Sequence, residues 1–211
     1  LEKKAFLAKN NLSEKKKIIT FATTYDAFGK GRFLPKIIGN QFKAIDEISN
    51  FVNHELDCNF IIKIHHYQSS LLRKSIFKKI AKKKNNMVFD LAKFHDVVES
   101  ENIFRISDVI ITDTSGVGPL CVFLRKKVIF LEPDHPFSWD TADIEPDLRP
   151  GFVCNKLEDI YRALKVNLDS SDKFTNEREK FIEKIFYQHD KDARGKISQT
   201  IQEIINKNEI Q

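Results

Sequence analysis

The stretch "SDVIITDTSGVGPL" (residues 107–120) decides how the rest of the chain is read. Val109, Ile110 and Ile111 make a continuous β-branched apolar run, which predicts a strand covered on both faces. Thr112 and Asp113 close that strand, and Thr114, Ser115 and Gly116 form a turn before a helix that begins near Val117. A buried strand that turns directly into a helix leaves the first backbone N–H groups of the helix pointing outward, where they suit an anion. Thr114 and Ser115 can add hydroxyl donors, and Gly116 and Gly118 lack the Cβ atoms that would hold a phosphate off. Pro119 suits the first turn, where a missing N–H costs little. An ordinary strand-to-helix connection capped by Thr114 or Ser115 explains the same residues. No Gly-Lys-Ser/Thr follows and the spacing is not Gly-x-Gly-x-x-Gly, so neither common phosphate-loop motif is present.

Outward from this stretch, apolar runs alternate with amphipathic ones. Strands are predicted at 17–25, 59–65, 87–91, 108–113, 127–132 and 151–154, and helices near 40–56, 70–84, 96–106, 117–125 and 156–166. That alternation implies right-handed βαβ units and an α/β fold with a doubly wound parallel sheet. The pattern changes near residue 167, so residues 1–166 read as a Rossmann-like domain and 167–211 as C-terminal helices, packed on it or crossing to another domain. Ser171 is the N-cap candidate for the first of these helices, whose apolar spacing runs through Phe174, Phe181 and Ile185.

With 211 residues, 41% hydrophobic and 31% charged, the chain can bury a core of its own. No apolar run approaches the roughly 20 residues of a membrane-spanning helix. The N-terminus lacks a signal-peptide core and an initiator Met, which reads as a piece of a longer cytoplasmic protein. Cys58, Cys121 and Cys154 are odd in number and set in apolar surroundings, so buried free thiols are expected. Much of the net charge of +5 lies in "RKSIFKKIAKKKNN" (73–86), where lysines decorate the face opposite Leu72, Ile76 and Ile80. A solvated helix face explains it, and an anionic membrane surface is the sharper alternative. No nucleic-acid reading motif accompanies the charge.

Ligands of an open parallel sheet bind at the carboxyl ends of its strands, which selects the loops after each one. Lys63 and His65 share a face at the end of the second strand and suit a diphosphate, His65 donating a hydrogen bond or a proton to a leaving phosphate. His65, His66, His95 and His135 lack metal-ligand spacing, so no metal and no cofactor is implied. The Pro- and Asp-rich loop at 132–152 offers Phe137 and Trp139 for stacking and Arg149 for a phosphate, and it reads equally well as a packed lid.

Several of these segments together resemble one family, in the same order and at similar spacing: the CDP-glycerol glycerophosphotransferases, or teichoic acid polymerases. "KKIITFATTYD" is similar to the opening of that family's donor domain, with Thr24 on its threonine. "IIKIHHYQ" resembles its Arg-x-His-Tyr segment, with Lys63 for the arginine and His65 on the histidine. "ISDVIITDTSGV" places Asp113 and Ser115 on its Asp and first Ser, and "DLRPGF" resembles its segment at Arg149. The resemblance implies the Rossmann-like C-terminal half of a GT-B fold, binding a CDP-activated alditol and transferring its glycerol or ribitol phosphate to a wall or capsular polymer. His65 would be catalytic, while Lys63, Thr114, Ser115, Gly116, Val117 and Arg149 would hold the donor phosphates. Where the family carries an acid in the helix after the turn, this chain has Leu120, so nucleoside contacts fall to Thr24 and Glu132. The polymer acceptor and the general base belong to an N-terminal domain, which makes this chain a transferase domain with little activity of its own. Its implied location is the cytoplasm, peripheral to the inner face of the membrane. A UDP-sugar transferase or epimerase-like domain, or a non-catalytic docking domain, are the alternatives.

Overall fold

The computed structural model describes residues 3–23, 41–64, 75–90, 97–113, 116–131, 149–169 and 171–185, together with 195, 198 and 199. Among them six strands form one parallel sheet: β1 (Ile18–Ala22), β2 (Asn59–Ile64), β3 (Asn86–Asp90), β4 (Val109–Thr112), β5 (Lys127–Leu131) and β6 (Phe152–Cys154). Their order, β3-β2-β1-β4-β5-β6, is the Rossmann order. The chain winds outward from β1 to β3, then crosses back to β4 and winds the other way.

Both faces of the sheet are covered, as the continuous apolar strands require. Ile19, Phe21, Phe60, Ile62, Val109, Ile111, Ile129 and Leu131 pack under α2 (Gln41–His54), α3 (Ser75–Ala81) and α6 (Leu157–Asp169). Ala22, Ile110, Val128 and Phe130 pack under Phe104 of α4 (Val97–Ile106), α5 (Val117–Phe123) and α7 (Thr175–Ile185). Leu7 of α1 (Lys3–Lys9) completes this second face over Ile18, Ile61 and Phe89. Cys58, Cys121 and Cys154 are buried free thiols within these clusters, as expected. α1 has no counterpart in the sequence reading.

Helices reach the amino-terminal edge of a parallel sheet with their carbonyl ends, and lysines that precede the strands meet them there. Lys17 and Lys127 donate to the Leu168 and Asn167 carbonyls in the last turn of α6, at 2.6 and 2.7 Å. Lys126 donates to the Arg105 carbonyl at the end of α4. These cations complement the negative ends of the helix dipoles. The lysine run is also partly structural: Lys83 donates to Asp46 of α2 at 2.7 Å and Lys79 to the same carboxylate at 3.1 Å. Burial raises the Asp46 pKa, but the hydrogen bonds and charges of Lys83 and Lys79 outweigh it and hold the carboxyl below its ordinary value. Lys78, Lys82 and Lys84 remain exposed.

The helix α6 continues to Asp169, past the change of pattern read near residue 167. Ser171 is not the cap of the helix that follows. Asp172 accepts from the Phe174 N–H at 3.1 Å and from Arg178 at 2.5 and 3.0 Å, which closes the start of α7 around a buried guanidinium.

Gly151 sets how closely β6 approaches β5. A Cβ there would lie 2.2 Å from the Val128 carbonyl oxygen, a backbone atom that cannot swing away. Gly151→Ala is therefore expected to cost about 2 kcal/mol by overpacking, read as a fall in the urea midpoint with an unchanged slope.

Candidate functional site

The sheet reverses its winding between β1 and β4, and open parallel sheets bind their ligands in the crevice at the carboxyl ends of such a switch point. The registers Thr20↔Ile110 and Phe21↔Ile111 bring the last residues of these strands side by side. Thr112 and Asp113 close β4 at 0% and 2% exposure, and both have interactions of their own. Next to β1 on its other side, Lys63 pairs in register with Ala22 and with Phe89. It is the penultimate residue of β2, so its side chain leaves the sheet at the edge of the same crevice.

Lys63 occupies an unusual position for a lysine. It alternates with Phe60 and Ile62, so it shares the face of Ile61 and points toward α4 and α5. Its ammonium stands over the Phe104 ring, 5.7 Å from the centroid. Among the described residues no carboxylate pairs with it. Desolvation lowers its pKa below 10.5, and the titratable neighbour that acts on it, Cys121, is a buried thiol pushed up to about 12 and therefore neutral.

The turn and helix after β4 show how the glycines work. Gly116 is the N-cap of α5, with φ −58°, and the capping candidates Thr114 and Ser115 lie outside the described residues. A Cβ on Gly116 would meet nothing within 4 Å, so this turn faces open space. Gly118 does a different job from the one expected. Its Cβ would lie 3.0 Å from Phe130 Cε1, so its absence seats α5 against β5 and does not make room for a ligand. Val117 and Leu120 are half-buried and pack on the apolar cluster of Phe104, Cys121, Val122 and Phe130.

The profile of the CDP-glycerol:poly(glycerophosphate) glycerophosphotransferases matches residues 2–203. The chain belongs to this family. The wall teichoic acid polymerase TagF is structurally similar, with a TM-score of 0.60 and 19% identity over 98% of this chain and 47% of TagF. The chain thus spans about half the length of TagF. The UDP-GlcNAc 2-epimerase of Methanocaldococcus jannaschii matches at a TM-score of 0.57 and 16% identity, over 88% of this chain and 49% of the epimerase. E. coli ADP-heptose LPS heptosyltransferase II matches at 0.53 and 13%, over 79% of this chain and 51% of the enzyme. At these identities the three share its fold. No curated protein matches the sequence.

Of the residues the sequence nominated in this family member, Lys63, Gly116 and Val117 lie at the carboxyl end of the sheet. Arg149 is 7% exposed and enters β6 from its amino side, where the Gly151 N–H donates to its carbonyl at 2.8 Å. Phe152, three residues on, is in register with Ile129 of β5. Thr24, His65, Thr114, Ser115 and Glu132 lie outside the described residues, as do Phe137 and Trp139. Sequence reasoning missed Phe104, which lies 41 positions from Lys63. The helical apolar pair Ile103-Phe104 was its one available signal.

An ammonium whose pKa is depressed by folding binds its proton less readily in the native than in the unfolded chain. Native stability should therefore rise with pH from the folded value of Lys63 up to the unfolded value near 10.5. Lys63→Met should lack that contribution and be at least as stable as the wild type at about pH 7, with the two converging at high pH. Urea midpoints of both proteins across that range check the sign. A variant markedly less stable at neutral pH would show that the charge is structurally compensated.

Proposed function

We propose that this chain is the donor-binding domain of a CDP-alditol phosphotransferase that builds a wall or capsular polymer. The observation that carries the reading is the family match across residues 2–203. A sheet whose switch point is bordered by a lysine with no carboxylate partner among the described residues supports it, because a donor diphosphate would supply an anion. TagF, which shares the fold, has been soaked with CDPG.

In the reaction proposed, an acceptor hydroxyl oxygen attacks the phosphorus that carries the alditol, and the bond from that phosphorus to the bridging oxygen breaks. CMP leaves with the bonding electrons, and the hydroxyl proton passes to a base on the acceptor side. Charge builds on the bridging and non-bridging oxygens as the bond breaks, so fixed positive groups at the crevice lower the barrier. Lys63, Thr114, Ser115 and the amides of Gly116 and Val117 would hold the phosphates. His65 would stabilise or protonate the leaving phosphate, and Thr24 and Glu132 would meet the nucleoside. Arg149 would add a guanidinium to the same phosphates.

A nucleotide donor places the work in the cytoplasm. No helix among the described residues is long and apolar enough to cross a membrane. Contact with the anionic inner leaflet would fall on the exposed Lys78, Lys82 and Lys84, since Lys83 is engaged by Asp46.

CDP-glycerol or CDP is expected to raise the melting temperature of this chain, and His65→Ala and Ser115→Ala to abolish the shift. UDP serves as the control. Tighter binding of UDP would favour a nucleotide-sugar enzyme, and no shift with any of these ligands at millimolar concentration would overturn the reading.

A further inference from the structure

We infer that Phe104 is a positioning residue for donor binding: its ring face carries the Lys63 ammonium in the place a carboxylate would otherwise take, and so keeps that charge available to a diphosphate. The inference rests on the donor-domain reading for the identity of the ligand and on the structure alone for its charge.

Most lysines that fold into this molecule near an edge of the sheet have a partner. Lys16 pairs with Asp57, Lys17 and Lys127 bond to carbonyls of α6, Lys83 to Asp46, and Lys126 to the Arg105 carbonyl. Lys63 has an aromatic face 5.7 Å away and, among the described residues, no hydrogen bond or ion pair. The difference matters chemically. A carboxylate would cancel the charge and compete with any incoming anion, whereas a ring quadrupole attracts the ammonium without neutralising it. Phe104 is itself 2% exposed and held in the cluster of Cys121, Val122 and Phe130, so the ring cannot swing aside. It also occupies the last turn of α4, the helix through which the chain crosses to β4.

The ligand class that follows is a compact polyanion with two adjacent phosphates. A mono-anionic carboxylate would gain less, because it brings one charge to the ammonium where two adjacent phosphates bring more. Binding would raise the Lys63 pKa again, since an anion at contact favours the charged form that burial disfavours.

The experiment uses the 211-residue chain and two probes, inorganic pyrophosphate and CDP-glycerol, followed by calorimetry and by the ε-methylene NMR signals of Lys63. The ε-protons should be shifted upfield by the ring in the free protein and should move again when either probe binds. Lys63→Met should weaken both probes about tenfold or more. Phe104→Leu should abolish the upfield shift and weaken both about threefold or more, while Phe104→Tyr, which keeps the ring face, should restore both. A Phe104→Leu protein that folds and binds pyrophosphate as tightly as the wild type overturns the inference. If that variant does not fold, the wild-type spectra decide: Lys63 signals that are unshifted, or that ignore pyrophosphate, overturn it equally. Pyrophosphate binding without CDP-glycerol binding keeps this inference and removes the donor reading. CDP-glycerol binding that is indifferent to Lys63 and Phe104 does the reverse.

Discussion

Asp108 holds both backbone groups of Ile18: its backbone N–H donates to the Ile18 carbonyl at 2.9 Å, and its carboxylate accepts the Ile18 N–H at 2.8 Å. From that anchor β1 and β4 run together, with Ile19 beside Val109 and Phe21 beside Ile111. A one-residue slip would exchange the two buried faces, so the register is firmly specified. The Thr20 and Ser107 hydroxyls meet at 2.6 Å inside the core, and Ser107 donates onward to the Ile103 carbonyl of α4. This ties the crossover helix to the same pair of strands. The pairing of β1 with β4 is the constraint on which the crevice depends, because it is where the winding reverses and where both strands end level.

The two edges of the sheet differ electrostatically. At the amino edge the carbonyl ends of α4 and α6 arrive, and Lys17, Lys126 and Lys127 satisfy them. Those lysines are consumed by the fold. At the carboxyl edge the helices begin, their N–H ends carry partial positive charge, and a lysine is unfavourable unless an anion joins it. Lys63 sits there, desolvated, over Phe104. A net charge of +5 does not reveal this division, since equal charges on the two edges do opposite work.

The parallel α/β architecture was legible because runs such as "FII" in β2 and "DVIIT" are apolar on both faces and alternate with helical spacing. What escaped depends on contacts between distant positions. Gly118 and Gly151 resemble loop glycines in sequence, yet they fit beside Phe130 and the Val128 carbonyl. Arg125 takes a left-handed φ of 55° after α5, a position where glycine is usual, and is held by Glu179 at 2.8 and 3.0 Å. Nothing local announces that geometry. Lys83 reads as one of several solvated lysines until Asp46, 37 positions away, is brought beside it. For the candidate site, the placement of Lys63, Gly116 and Val117 at the carboxyl edge followed from the strand order.

The most direct test of the central claim is a crystal structure of this chain with CDP-glycerol bound. The account predicts the diphosphate in the crevice between the ends of β1 and β4, with a phosphate oxygen about 3 Å from the Lys63 ammonium. A donor bound at the amino edge of the sheet, or in the crevice with Lys63 still turned to Phe104 and out of its reach, would contradict it.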